Sequence, residues 1–179
     1  MHQLAKHQKQ RNLVSIRRGE IDGCSIQGFV LGLSENLVLL QYVYDFHLDG
    51  LMLLRTADIT EVRHTKTAQL QKKLLKQEGL LERVPLEITL DLSDWKSAIS
   101  QLSAEHGLMI IECEAQDEPD FFIGRVTKTT KLGVQGHYFS GAANWEDEPS
   151  KLKFKDITCC QVATNYINFY KRYFERVAL

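Results

Sequence analysis

Along the first half of the chain the apolar positions fall in short blocks separated by turn chemistry, a pattern of strands rather than long helices. Residues 13–18 turn β-like, Gly19-Glu20-Ile21-Asp22-Gly23 supplies a turn, and 25–33 forms a second strand. Ser34-Glu35-Asn36 makes a tight connection into 37–44. There Leu37, Leu39 and Val43 take one parity and Val38, Leu40 and Tyr42 the other, so this strand is expected to be covered on both faces. Residues 45–50 read as a loop, 51–55 as a fourth strand and 59–64 as a short fifth. Polar, basic residues 3–11 read as a short leading helix anchored by Leu4. A trailing helix is predicted over 67–78, with Leu70, Leu74 and Leu75 on one face and Gly79 placed to end it.

The second half repeats this layout after an extended connection over 84–92. Ser93 is the expected N-cap of a helix in which Trp95, Ala98, Ile99 and Leu102 fall at i, i+3, i+4 and i+7, ending near Gly107. Strands are predicted over 108–115, 121–127, 132–139, 152–155 and 158–162. In the fourth of these Lys153 and Lys155 share the parity of Lys151 against Leu152 and Phe154, which gives it a wet face. Its counterpart, Leu51-Met52-Leu53-Leu54, is apolar on both faces and needs a cover. The closing helix, over 166–176, carries Tyr166, Phe169, Tyr170, Tyr173 and Phe174, with Val177 just beyond, an aromatic side expected to be core. A partner-binding or dimerisation surface is the alternative.

The likeness of the halves reaches individual residues. Asp58-Ile59-Thr60 returns as Asp156-Ile157-Thr158, Gly28-Phe29-Val30 as Gly124-Arg125-Val126, and Leu70, Leu74 and Leu75 as Phe169, Tyr173 and Phe174. The offset between copies drifts by a few residues, as loop insertions between fixed elements produce. The chain therefore reads as an internal duplication, with one module over 1–83 and a second over 84–179. Five short strands with this punctuation predict a small closed barrel in each, since closure removes exposed edges.

Composition narrows the class. Apolar residues at 44% with 25% charged and three prolines are those of a globular protein, and a net charge of −1 argues against a chain whose main task is gripping phosphate backbone. The first residues lack an apolar signal region and no window is long and apolar enough for a membrane helix, so a cytoplasmic protein without a membrane partner is expected. Cys24, Cys113, Cys159 and Cys160 show no C-x-x-C spacing and are expected to be reduced and metal-free.

A helix followed by five short strands resembles the Sm-like fold and, more broadly, SH3-like small barrels. The run from Gly28 to Leu39, with Asn36-Leu37-Val38-Leu39, resembles the first Sm motif, and Arg55-Thr56-Ala57-Asp58-Ile59 the second. The resemblance implies a mainly β, α+β chain of two tandem five-stranded Sm-like/SH3-like barrels joined and flanked by helices. It also implies an RNA site with Asn36, Arg55 and Asp58 as base readers. The sequence departs from that pattern at Thr56, where the family has glycine, at Asp58, where it has asparagine, and in a shorter loop from Gly28 to Asn36. The layout is also similar to bacterial proteins of no assigned function.

Three further groups carry candidate chemistry. Asp58 and Asp156 precede a short strand and are expected to cap turns through backbone N–H groups. Asp45, His47 and Asp49 lie within five residues, a set that could ligate a metal or move a proton but that reads first as a solvated turn. Lys6, Lys9, Arg11, Arg17 and Arg18 precede the first acid, whereas Glu112, Glu114, Asp117, Glu118 and Asp120 have no base among them. No nucleophile elbow, metalloprotease or phosphate-loop motif is present. The reading is therefore a non-enzymatic binding protein without cofactor, whose partner is expected to be another protein, with self-association left open. The alternative is an Sm-like RNA binder using Arg17, Arg18, Asn36 and Arg55. A small metal-dependent or hydrolytic enzyme around His47 or His64 comes third.

Overall fold

The computed structural model describes residues 2–19, 21, 23–86 and 88–177, so Glu20 and Asp22 of the expected first turn lie outside the described residues. The protein is mainly β with helices, an α+β chain that divides into two compact units, Met1–Ser93 and Asp94–Leu179. In the first, α1 (His2–Lys9) precedes β1 (Leu13–Arg17), β2 (Ile26–Leu33), β3 (Leu37–Tyr44), β4 (His47–Arg55) and β5 (Glu61–Arg63), with α2 (Lys66–Gln77) trailing. The second has α3 (Trp95–His106), β6 (Met109–Cys113), β7 (Asp120–Thr129), β8 (Gly133–Tyr138), β9 (Ser150–Lys153), β10 (Cys159–Val162) and α4 (Asn165–Val177).

Strand order is β5-β1-β2-β3-β4 in the first unit and β10-β6-β7-β8-β9 in the second, antiparallel throughout each. The expected closed barrel does not form. Among the described residues no ladder joins β4 to β5 or β9 to β10, and the sheet stays open. Closure requires tilted strands whose two outer edges meet in a staggered register, and the three-residue β5 and the four-residue β9 and β10 offer short edges for it.

The likeness of the two halves extends to hydrogen-bond register. Val14 faces Gly28 as Met109 faces Gly124, and Ile16 faces Val62 as Ile111 faces Cys160. Leu37 faces Arg55 as Gly133 faces Lys153. The second strand of each copy shifts register at the same place, between Val30 and Gly32 and between Val126 and Lys128. Every ladder is thus preserved, and the two extra residues of the second copy fall between β8 and β9.

Local chemistry explains why the copies agree. A Cβ on Gly28 would lie 2.7 Å from the Gln41 carbonyl oxygen, and one on Gly124 would lie 2.0 Å from that of His137, so both positions admit only glycine without backbone movement. Ser34 and Thr130 close equivalent turns, accepting from the backbone N–H groups of Leu37 and Gly133. Thr65 and Thr164 cap the trailing helices by accepting from Ala68 and Ile167. For α3 the cap is Asp94, whose carboxylate accepts from Ser97 at 2.7 Å, rather than the expected Ser93. Ser93 instead offers its carbonyl to the Asn36 amide at 2.6 Å.

Burial follows the two-sided pattern of β3, where Leu37, Val38, Leu39 and Leu40 are all buried, and of β4 at Met52, Leu53 and Leu54. In the second unit Leu108, Ile110, Ile123, Phe139 and Ile167 form a core cluster, and Leu152 is buried between exposed Lys151 and Lys153.

Candidate interaction surface

Of the sequence-predicted residues, Asn36 and Arg55 are brought together, since the Thr56 N–H donates to the Asn36 carbonyl at 2.8 Å. Both side chains are engaged. The Asn36 amide is bound to Ser93, and Arg55 Nε donates to both oxygens of Asp58 at 2.8 Å. Arg17 has an exposed side chain whose Nε lies 3.8 Å from the Glu61 carboxylate, whereas Arg18 is buried at 4% exposure. Asp45, His47 and Asp49 sit at the opposite end of the β3–β4 hairpin from Asn36 and Arg55. His47 Nδ1 is bound to the Asp45 carbonyl at 2.8 Å. Among the described residues no three His, Cys, Asp or Glu side chains converge in a way that could hold a metal ion.

The recurring Asp-Ile-Thr element has its repeated role in the threonine. Thr60 Oγ1 donates to the Arg17 carbonyl and accepts from the Gly19 N–H, while Thr158 Oγ1 accepts from the Glu114 N–H and has the Glu114 carboxylate at 2.7 Å and the Glu112 carbonyl at 3.0 Å as acceptors. Each hydroxyl pins the end of its unit's first strand to the turn before its last. Asp58 serves an ion pair with Arg55 rather than the backbone-capping role expected of it.

The outer side of α4, for which a partner-binding surface was the alternative to core, is open to solvent. Ile167 is buried, and Tyr170 and Phe174 pack against Phe139 with ring centroids 4.8 and 5.0 Å apart. The remaining apolar residues face outward: Tyr166 is 51% exposed, Phe169 63%, Tyr173 49% and Val177 61%. These positions, spaced by three, four and four, form a second helical stripe beside the buried one. The aromatic side expected to be core is therefore split. Seven large apolar residues on a helix of 13 residues make an apolar face wider than the side that packs inward, and that excess is the readable signal.

The stripe borders a groove of about 300 Å³ whose opposite wall is Gly141, Ala142 and Ala143. The loop is held by the Tyr170 hydroxyl, which donates to the Gly141 carbonyl at 2.9 Å, and Ala143 adopts a left-handed φ of 61° to complete the turn. Trp145 stacks 4.9 Å from Phe174 and fills the end of the aromatic cluster. Hydrogen bonding with Tyr170, then burial, pushes the Tyr166 phenol up. The same outward positions recur in α2, where Leu70 and Leu74 are exposed while Ala68 and Leu75 are buried.

Elsewhere, titration points to packing. Burial, aided by Asp120, Asp156 and Glu114, pushes the Cys113 thiol up to about 12, and burial, aided by Glu112, does the same to Cys160. Neither can supply a thiolate near neutral pH. His7 is held below its ordinary value by burial, then by His64 and Lys6, and its Nδ1 contacts the Asn12 amide at 3.2 Å. Among the described residues no helix is long and apolar enough to cross a membrane. Set against known proteins, the chain matches no protein-family model, no curated protein and no solved structure.

Proposed function

We propose that the protein is a non-enzymatic binding protein whose partner is another protein, and that the outer face of α4 is its contact surface. The observation that carries this reading is the exposed stripe of Tyr166, Phe169, Tyr173 and Val177 beside a preformed groove. Contiguous apolar patches of this kind on a folded surface mark interaction sites, and tyrosine and phenylalanine are enriched there. The engagement of Asn36 with Ser93 and of Arg55 with Asp58, together with the burial of Arg18, weighs against RNA as the partner.

The finer fold reading is that each unit is an opened, Sm-like or SH3-like small sheet. It is supported by the leading helix, the order β5-β1-β2-β3-β4 with its equivalent in the second unit, and the shared irregularity in β2 and β7. Fold alone assigns no partner, so the function rests on the surface.

The test is affinity capture from lysate of the source organism, with and without nuclease, using the full chain and its Phe169→Asp/Tyr173→Asp variant. The expected result is a protein retained by the parent chain, resistant to nuclease and lost with the variant. Capture that vanishes with nuclease, or that is identical for both chains, overturns the proposal.

A further inference from the structure

The margin of the stripe carries information about what covers it. In α4 the basic residues are Lys171, Arg172 and Arg176, against one acid, Glu175. Helical spacing puts Asn168, Arg172 and Arg176 along one flank of the exposed stripe, with Ile167 and Phe174 on the other, toward the core and Trp145. The Arg172 guanidinium lies 4.5 Å over the Phe169 ring, which orients it at the edge of the apolar surface. Among the described residues neither Arg172 nor Arg176 has an ion-pair partner. The pattern recurs in the other copy, where Lys73 occupies the position of Arg172 beside exposed Leu70 and Leu74.

Resting on the reading of this face as a protein contact, we infer that its occupant is an amphipathic helix with carboxylates along one edge of its apolar stripe. The exposed stripe runs along α4 for about 16 Å at the helical rise per residue. Its ridges three and four residues apart are the complement of another helix's apolar positions at i, i+3 and i+7. The groove against Gly141, Ala142 and Ala143 receives an anchoring side chain, and the two arginines donate to carboxylates at the rim. A second copy is a poor occupant, because α4 packed on α4 brings Arg172 and Arg176 of both chains together. An anionic lipid surface is a poor one too, because Glu146, Asp147 and Glu148 follow Trp145 beside the cluster and the groove wall stands next to the stripe.

The experiment selects a phage-displayed random 16-residue peptide library on the full chain, with counter-selection on Phe169→Asp. The expected outcome is enrichment of peptides with apolar residues at helical spacing and an excess of Asp and Glu. A synthetic enriched peptide should lose at least tenfold in affinity, by fluorescence polarisation, on Arg172→Glu/Arg176→Glu, and its Glu→Lys twin should regain binding to that variant. Enriched peptides that are basic, or that lack helical periodicity, overturn the inference while leaving the protein-contact reading standing. Absence of Phe169-dependent enrichment overturns it as well; the protein-contact reading falls only if lysate capture is also indifferent to Phe169 and Tyr173. Two controls name the rejected occupants. Phe169-dependent dimerisation in sedimentation velocity assigns the face to a second copy, and Phe169-dependent co-sedimentation with phosphatidylcholine/phosphatidylglycerol vesicles assigns it to lipid; either contradicts the inference.

Discussion

In the first copy, β3 and β4 continue to a two-residue turn, Asp45-Phe46, with both residues at positive φ; in the second, the matching strands stop at Tyr138 and Ser150. The chain between them folds back instead, so that Phe139 bridges to Trp145 and both rings stack on α4. Val43 occupies the place in the first copy that Phe139 takes in the second. The ladders are identical up to this point, which shows where the fold is specified and where it is free. Glycine at the close approach, the turn hydroxyl, the helix cap and the clamping threonine fix the register in both copies. The far end of the hairpin and the outer face of the trailing helix differ, and there the second unit carries an aromatic cluster large enough to display a surplus.

The largest expected effect lies at the divergent end. Phe139→Ala removes a fully buried ring touching Trp145, Tyr170 and Phe174 and should cost about 3–5 kcal/mol in urea unfolding. A cost near that of a surface change would mean the second hairpin's refolding is not what supports α4. Next come the shared glycines. Gly124→Ala should cost about 1–3 kcal/mol, because the added carbon meets a backbone oxygen that cannot swing away, and Gly28→Ala should cost less, its approach being looser. Equal or reversed costs would break the claim that one close approach sets the register of both copies.

Much of this was legible in the sequence, for identifiable reasons. The repeat of Gly28-Phe29-Val30 and Asp58-Ile59-Thr60 marks positions where backbone geometry leaves little choice, so it predicted ladders shared by the two units. The double-sided apolar run of Leu37–Leu40 was readable because strand parity assigns faces directly. Closure was not readable, because periodicity says which face a strand buries and nothing of which edges meet. The hairpin tip was misplaced as a loop over 45–50, since a turn built from Asp45-Phe46 lacks the Asn-Gly chemistry that announces two residues at positive φ. The α4 stripe was read as core because an amphipathic pattern gives the width of an apolar face without saying how much of it a neighbour covers.

A smaller effect separates the copies by pH. His7 has Leu102 as its counterpart, and Lys6, Arg11, Lys72, Lys76 and His64 surround its side of the first unit with positive charge. Its native pKa lies below the ordinary 6.5, so the unfolded chain binds the extra proton. Stability should therefore be complete above about pH 6.5 and decline as pH falls below it, until the native value is passed. His7→Gln should flatten that decline in urea midpoints taken from pH 7.5 to 5. A slope unchanged by the substitution would place the pH dependence elsewhere.

The smallest predicted effect bears most on the account. Its central claim is that the outer stripe of α4 contributes nothing to holding the fold and is therefore free for a partner. Urea unfolding of the Phe169→Ala/Tyr173→Ala variant measures this directly, with Phe174→Ala, half-buried against Phe139 and Trp145, for scale. The expected change is within about 0.5 kcal/mol per exposed residue, as at other surface sites, beside a loss of about 2 kcal/mol or more at Phe174. A loss at Phe169 and Tyr173 as large as that at Phe174 would make the stripe part of the core and leave no surface for a partner.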